Sequence, residues 1–219
     1  LPGYRVVDLT AMITGPFATM ILGDQGADVI KIEPPGLGDV MRWIGTNKGG
    51  IAAFWALTNR SKRSVVLNLR EPRAKALLLE LDARADVFVQ NFRPGAAERM
   101  GIGEPALRAV NEKLIYVSIS GFGESGPYAH KRVYDPVIQA LSGLASIQGG
   151  GGGRPRMLRL IVPDKLTAVT AAQAITAALL ARERTGVGQH VRLAMLDAVV
   201  AFHWPEAMVR HTFVGDDIG

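Results

Sequence analysis

The runs Tyr4-Arg5-Val6-Val7-Asp8-Leu9, Phe17-Ala18-Thr19-Met20-Ile21-Leu22 ahead of Gly26, and Asp28-Val29-Ile30-Lys31-Ile32-Glu33 decide the fold. The first and third are short, apolar and rich in β-branched residues, which is the mark of a strand. The second begins a helix that stops near Gly26. Working outward, the same alternation continues: Ser64–Leu69 is β-rich, and Pro72 opens a helix to about Arg84, where a first-position proline is favourable. Asp86–Val89 and Leu114–Ser120 read as strands, with a short helix at Pro105–Val110 between them. Asp135–Ser146 reads as one helix with Pro136 at its start, and Leu166–Arg184 as a long helix closed by Thr185-Gly186. In His190–Leu196 the residues Val191, Leu193 and Met195 share one face, and a last helix runs from Ala198, interrupted by Pro205. Strands alternating with helices predict an α/β fold: a Rossmann-like parallel sheet with helices on both faces, forming a single domain over residues 1–219.

Ligands on such sheets sit beyond the carboxyl ends of the strands. The loops of interest are therefore Thr10–Pro16, Pro34–Arg42, Gln90–Gly95 and Gly121–Tyr134. Gly149–Gly153 is a run of five glycines, expected to be a flexible surface loop. It follows a helix and lacks the Lys-Ser/Thr of a P-loop.

With 219 residues, 48% hydrophobic and 21% charged, the composition is that of a globular protein able to build one good-sized core. Cysteine is absent, which excludes disulfides and thiolate chemistry. No signal peptide is expected at Leu1–Arg5, and the apolar stretch Ala168–Ala181 is too short for a bilayer, so a cytoplasmic location is expected. The net charge of +5 suits an anionic ligand. Nucleic acid is disfavoured, because aromatics are only 6% and no zinc-finger or RRM signature is visible.

Several chemistries fall away by pattern. The turn Thr10-Ala11-Met12-Ile13-Thr14-Gly15-Pro16 has a single glycine, so it is no dinucleotide fingerprint, although Glu33 stands about where a ribose-binding acid would. His130, His190, His203 and His211 lack metal-ligand spacing, and no metal is expected. No G-x-S-x-G elbow accompanies Ser118, Ser120, Ser125 or Ser142. Asp164 is more informative. It lies between an extended run, Leu158 to Val162, and the long helix, with Pro163 disfavouring helix at Val162. The helix is expected to start at or just after Asp164, making this residue an N-cap whose carboxylate is kept ionised by the helix dipole. That is a requirement for a carboxylate nucleophile, and it is equally the description of a plain capping aspartate.

Two segments flank Asp164. One is Gly121-Phe122-Gly123-Glu124-Ser125-Gly126-Pro127-Tyr128, with Tyr134-Asp135 and Gln139-Ala140-Leu141-Ser142-Gly143 after it. The other is Arg182-Glu183-Arg184-Thr185-Gly186-Val187-Gly188-Gln189-His190-Val191, with Leu196-Asp197-Ala198 after it. Together with Asp8-Leu9-Thr10, Gly15-Pro16, Gly26–Glu33, Asn59–Ser64 and Asn91-Phe92-Arg93-Pro94-Gly95, they make the chain resemble the family III CoA-transferases, or CaiB/BaiF family, from end to end. That family includes formyl-CoA transferase, carnitine CoA-transferases and α-methylacyl-CoA racemase.

The resemblance implies an acyl-CoA:carboxylate CoA-transferase that uses coenzyme A as substrate and product. The aspartate matching Asp164 would attack the thioester, forming a mixed anhydride and then an enzyme–CoA thioester. It further implies CoA contacts at Met12, Ile13 and Thr14, at Leu67, Asn68, Leu69 and Arg70, at Asn91, Phe92 and Arg93, at Arg99, and at Arg132, Val133, Tyr134 and Asp135. Arg70, Arg93, Arg99 and Arg132 would meet phosphates. Ile13 and Pro34 stand where formyl-CoA transferase carries glutamine and arginine, which argues against formate or oxalate. Racemase members use a histidine at the position of Tyr134, and tyrosine is a poor base near neutral pH, with a reference pKa of about 10. His130 lies four residues earlier. A racemase or a non-catalytic CoA-binding fragment is the alternative. Family chains are roughly twice this long and form interlocked homodimers, so the family's small domain and C-terminal return are expected to be missing here.

Overall fold

A computed structural model describes residues 1–150 and 152–215, leaving Gly151 of the five-glycine run outside the described residues. In chain order the elements begin with β1 (Arg5–Asp8), α1 (Thr14–Asp24), β2 (Asp28–Glu33), a hairpin of β3 (Asn47–Lys48) and β4 (Ile51–Ala52), α2 (Ala53–Asn59) and β5 (Lys62–Val66). Next come α3 (Pro72–Asp82), β6 (Val87–Gln90), α4 (Ala96–Arg99), α5 (Glu104–Val110) and β7 (Ile115–Ser120). The chain continues through α6 (Asp135–Leu141), α7 (Leu144–Gly149), α8 (Val162–Thr185), β8 (His190–Ala194), α9 (Met195–Phe202) and α10 (Trp204–Met208).

The main sheet has the order β5-β2-β1-β6-β7-β8, and every pairing in it is parallel. This is the doubly wound order, with its reversal between β1 and β6. Side chains alternate across the sheet with period two. Val6, Val29, Val87 and Val117 face a core closed by Leu22 of α1 and Ala168, Ala171 and Ile175 of α8. Their neighbours Val7, Ile30, Phe88 and Tyr116 face a second core closed by Leu78 of α3 and Leu107 of α5. Both faces are therefore buried, and this is why the strands read as unbroken apolar runs. No described helix is long and apolar enough to cross a membrane.

The 24-residue α8 spans the sheet. Its last turn closes on Gly186, left-handed at φ 73°, whose N–H donates to the Arg182 carbonyl at 2.7 Å. Arg182 is buried there and donates to Asp86 Oδ1 at 2.9 Å.

Five boundaries depart from expectation, one of them at the end of β8, where the strand stops at Ala194 and α9 begins at Met195 rather than at Ala198. α1 begins at Thr14 rather than Phe17. β5 runs over Lys62–Val66 rather than Ser64–Leu69, because its partner β2 ends at Glu33, opposite Val66. The helix expected over Asp135–Ser146 breaks between α6 and α7, where Gly143 takes φ 88°. α8 begins at Val162, so Asp164 stands in its first turn and is not its N-cap. The fixed φ of Pro163 suits that turn, and its missing N–H would be unpaired there in any case. The residues before α8, expected to be extended, join no strand ladder.

α3 ends in a buried acid. Asp82 is fully enclosed, and neither carboxyl oxygen has a hydrogen-bond partner among the described residues. Burial pushes its pKa up to about 7.

Candidate functional site

The sheet order reverses between β1 and β6, and the loops leaving these two strands bound the site. In the first loop, side chains from other elements hold the backbone. Thr10 donates its N–H and its hydroxyl to Asp8 Oδ1 at 2.8 and 2.5 Å, and its carbonyl accepts from Lys31 Nζ at 2.8 Å. Asn91 pairs with Ala11 at both ends of its amide: Oδ1 accepts from the Ala11 N–H at 3.0 Å, and Nδ2 donates to the Ala11 carbonyl at 2.8 Å. Met12, left-handed at φ 68°, donates its N–H to Asp39 Oδ1 at 3.2 Å.

Beneath the loop lie two buried ion pairs, Lys62–Asp8 at 3.0 Å and Lys31–Asp39 at 3.1 Å. Burial alone would raise the Asp8 carboxyl. The Lys62 and Lys31 ammonium groups and the Thr10 and Thr19 hydroxyls outweigh it and hold the pKa at about 2. Burial brings Lys62 down to about 8, against the opposing pull of Asp8.

Glu33, at the ribose-acid position of a dinucleotide fold, is fully engaged. Oε1 accepts from the Asp39 N–H at 2.9 Å and from Arg42 Nε at 2.8 Å, while Oε2 accepts from Arg42 Nη2 at 2.5 Å and Ser64 Oγ at 2.6 Å. Arg42 in turn lies 3.7 Å over the Trp55 ring of α2.

The chain then enters α1, and the Thr14 hydroxyl donates to Asp164 Oδ1 in the first turn of α8. The Asp164 N–H donates to Asp135 Oδ2 at 3.2 Å, so Asp135 caps α8 in the place expected for Asp164 itself. Asp135 Oδ1 accepts from Gln139 Nε2 at 2.6 Å, and Gln139 Oε1 accepts the Leu158 N–H at 2.8 Å. Burial raises the Asp164 pKa, the Thr14 hydroxyl opposes that rise, and the neighbouring Asp135 adds to it. The net direction is upward, opposite to the expectation of a dipole-stabilised cap. Asp164 Oδ2 accepts no hydrogen bond among the described residues.

A cavity of about 310 Å³ opens over this group. Its lining brings together Met12, Ile13, Thr14, Asn91, Phe92, Arg93, Arg132, Val133, Tyr134, Asp135 and Asp164. Gly121 lets the Arg132–Asp135 segment close on the end of β7, since a Cβ at Gly121 would stand 2.1 Å from Val133 Cγ1. Two further cavities adjoin. One of about 450 Å³ carries Arg99 and His130 and shares Phe92 and Arg93; the other, of about 390 Å³, carries Leu67–Arg70 and shares Phe92. Every residue expected to touch coenzyme A thus lines one of three cavities that meet at Phe92, and Asp164 lies in the one bounded by both loops of the reversal point.

The model of CoA-transferase family III matches residues 1–217. The chain belongs to that family. An acetyl-CoA:oxalate CoA-transferase of Acetobacter aceti is 44% identical over 201 residues, 91% of this chain and 52% of the relative. A succinate–glutarate CoA-transferase of Agrobacterium fabrum is 41% identical, over 90% of this chain and 51% of that protein. Among solved structures, a CaiB/BaiF family protein from Brucella suis superposes with a TM-score of 0.90 at 35% identity, covering all of this chain and 59% of its own. The family III chain described here spans about half the length of the curated relatives it matches.

Sequence reasoning named Asp164 and its cavity neighbours but missed how they are held. Neither Gln139 nor Asp39 was singled out as a partner, and Thr14 was expected at a ligand rather than at Asp164. The only available signal was Gln139 standing four residues after Asp135, one helical turn on. His130 is exposed and lines the neighbouring cavity, whereas Tyr134 lines the cavity of Asp164.

Proposed function

We propose that this chain is the CoA-binding part of an acyl-CoA:carboxylate CoA-transferase in which Asp164 is the nucleophile. The observation that carries the reading is the Asp164 carboxyl in the cavity at the reversal point, with Oδ1 bound to the Thr14 hydroxyl and Oδ2 without a partner among the described residues. Oδ2 attacks the thioester carbonyl, the thiolate of coenzyme A leaves, and a mixed anhydride forms on Asp164. The thiolate then attacks the aspartyl carbonyl and expels the donor acid as its carboxylate, leaving an enzyme–CoA thioester. The acceptor carboxylate displaces the thiolate to form a second anhydride, and the thiolate takes the acceptor acyl group and frees Asp164. A raised pKa makes the ionised carboxylate a stronger nucleophile. Arg93 and Arg132 on the cavity rim, with Arg99 and Arg70 in the adjoining cavities, suit the phosphates of coenzyme A.

The relatives named for oxalate and for succinate and glutarate support a small carboxylic acid as acceptor. The 44% identity to an oxalate enzyme reduces the weight of Ile13 and Pro34 against that acid. A cytoplasmic homodimer belongs to the same proposal. The association, though not the location, is supported by the exposed apolar surface of Trp43, Ile44, Phe54 and Leu57 and of the edge-strand residues Val65 and Val66.

The test is covalent trapping. Incubation with an acyl-CoA followed by hydroxylamine, with the label mapped by mass spectrometry, is expected to mark Asp164, and Asp164→Ala is expected to abolish transfer while leaving coenzyme A affinity nearly unchanged. Transfer by the alanine variant overturns the assignment. Exchange of solvent deuterium at the acyl α-carbon without a label at Asp164 replaces it with the racemase.

A further inference from the structure

We propose that Asn91 and Asp39 are positioning residues, which hold the backbone of Ala11 and Met12 and thereby keep the Thr14 hydroxyl on Asp164. The inference rests on Asp164 as the reacting carboxylate, but it is argued from geometry that stands without it.

The loop between β1 and α1 has almost no freedom left. Of the backbone polar groups of Thr10, Ala11 and Met12, the three N–H groups and the first two carbonyls all have side-chain partners. Those partners come from four places: Asp8 in β1, Lys31 in β2, Asp39 in the loop after β2, and Asn91 in the loop after β6. The loop is thus tied to the strands on both sides of the reversal point. Asp39 is itself fixed by the buried Lys31 ammonium and accepts a second N–H, from Met41, at 3.1 Å. Its position does not depend on solvent.

Met12 gives independent support. A residue with a Cβ at φ 68° sits in a sparsely populated region, and such strain persists only where the surroundings over-determine it. Here the over-determination comes from Asn91 on the preceding residue and Asp39 on Met12 itself. Two residues later the Thr14 hydroxyl reaches Asp164 across 150 positions of sequence. α1 starts at Thr14, so the turn at Met12 sets where that helix begins and which way its first side chain points. Glycine at such a turn would permit the same path but would not hold it, since glycine also enters the other regions at little cost. The arrangement therefore replaces the flexible glycine loop of a dinucleotide fold with a rigid one.

The test reads Asp164 directly. In the whole chain with ¹³C-labelled aspartate, the titration midpoint of Asp164 is followed in the wild type, Thr14→Val, Asn91→Ala and the double variant. Loss of the hydroxyl in Thr14→Val is expected to raise the midpoint by about one pH unit, as befits a hydrogen bond to a charged group. Asn91→Ala, which touches neither Thr14 nor Asp164 in the hydrogen-bond network, is expected to raise it in the same direction. In the double variant the midpoint is expected to match that of Thr14→Val, because both changes remove one interaction. An Asn91→Ala midpoint equal to the wild type overturns the proposal, and so does a double variant whose shift is the full sum of the two. Asn91→Ser and Asp39→Ala, which removes the acceptor of the Met12 N–H, are carried in parallel and judged by the same criterion, so that one poorly folded chain does not decide the outcome. The readout needs no turnover: if trapping fails to label Asp164 while the coupling is present, the nucleophile assignment falls and the positioning role stands.

Discussion

Replacing Asp82 by Asn isolates one buried proton. Asp82 is enclosed at the end of α3, without hydrogen-bond partners among the described residues, and its pKa stands at about 7 against an ordinary value of 3.8. A folded-state pKa above the unfolded one means that the folded chain binds the proton more tightly. Stability from this group is therefore fully present below the unfolded pKa and is lost as pH rises through the folded one. The full loss is about 4 kcal/mol at about 1.36 kcal/mol per unit, and about 2.5 kcal/mol of it falls between pH 5 and pH 8. Asparagine has nearly the same shape and does not titrate, so the variant lacks this component. Other titrating groups cancel in the comparison. Urea denaturation of both chains at pH 5 and pH 8 measures it: the wild type is expected to lose about 2.5 kcal/mol more than the variant over this interval. Equal pH dependence in the two chains would refute the claim that the buried carboxyl lacks a compensating partner.

The ion pairs under the β1–α1 loop give a prediction of opposite sign. Asp8→Asn leaves the buried Lys62 without its carboxylate, while Lys31 keeps Asp39, and is expected to cost about 3–5 kcal/mol at neutral pH, as breaking a buried pair does. The depressed Asp8 pKa also means that the wild type keeps this stability above the ordinary carboxylate range and loses it as pH falls toward about 2. Thermal denaturation from pH 7 down to pH 2 tests both statements, and a change below about 1 kcal/mol at pH 7 would count against them. For the proposed reaction, Asp164 must be ionised. Because burial raises its pKa, the acid limb of kcat/KM is expected above the ordinary carboxylate range, and further up in Thr14→Val. An acid limb at about 3.9 in both enzymes would contradict this.

The fold was legible because its evidence is local. Buried parallel strands read as apolar runs whatever they pair with, and Val6-Val7 or Val87-Phe88-Val89 could hardly be anything else. The resemblance supplied the members of the site, and the chain's own pairing put them together. What stayed hidden was set by distance. The partner of Asn91 is Ala11, 80 residues away, and the partner of Thr14 is Asp164, 150 residues away. No spacing rule reaches that far. Helix starts went astray for a related reason. Pro163 disfavours helix at the residue before it, but with Asp135 reaching in from α6 to cap the turn, α8 begins at Val162. The short helix α2 was missed because its buried residues, Thr58 and Asn59, are polar and leave no apolar stripe to read.

The Arg182–Asp86 pair has a mechanical meaning for the other end of α8. Eighteen residues separate Arg182 from Asp164, and at about 3.6 residues per turn that is about five whole turns, so the two side chains leave the rod along one line, about 27 Å apart. The guanidinium works like a key in a slot. A slip of one residue at the far end would swing the carboxyl by about 100° and carry it about 1.5 Å along the axis, out of reach of the Thr14 hydroxyl.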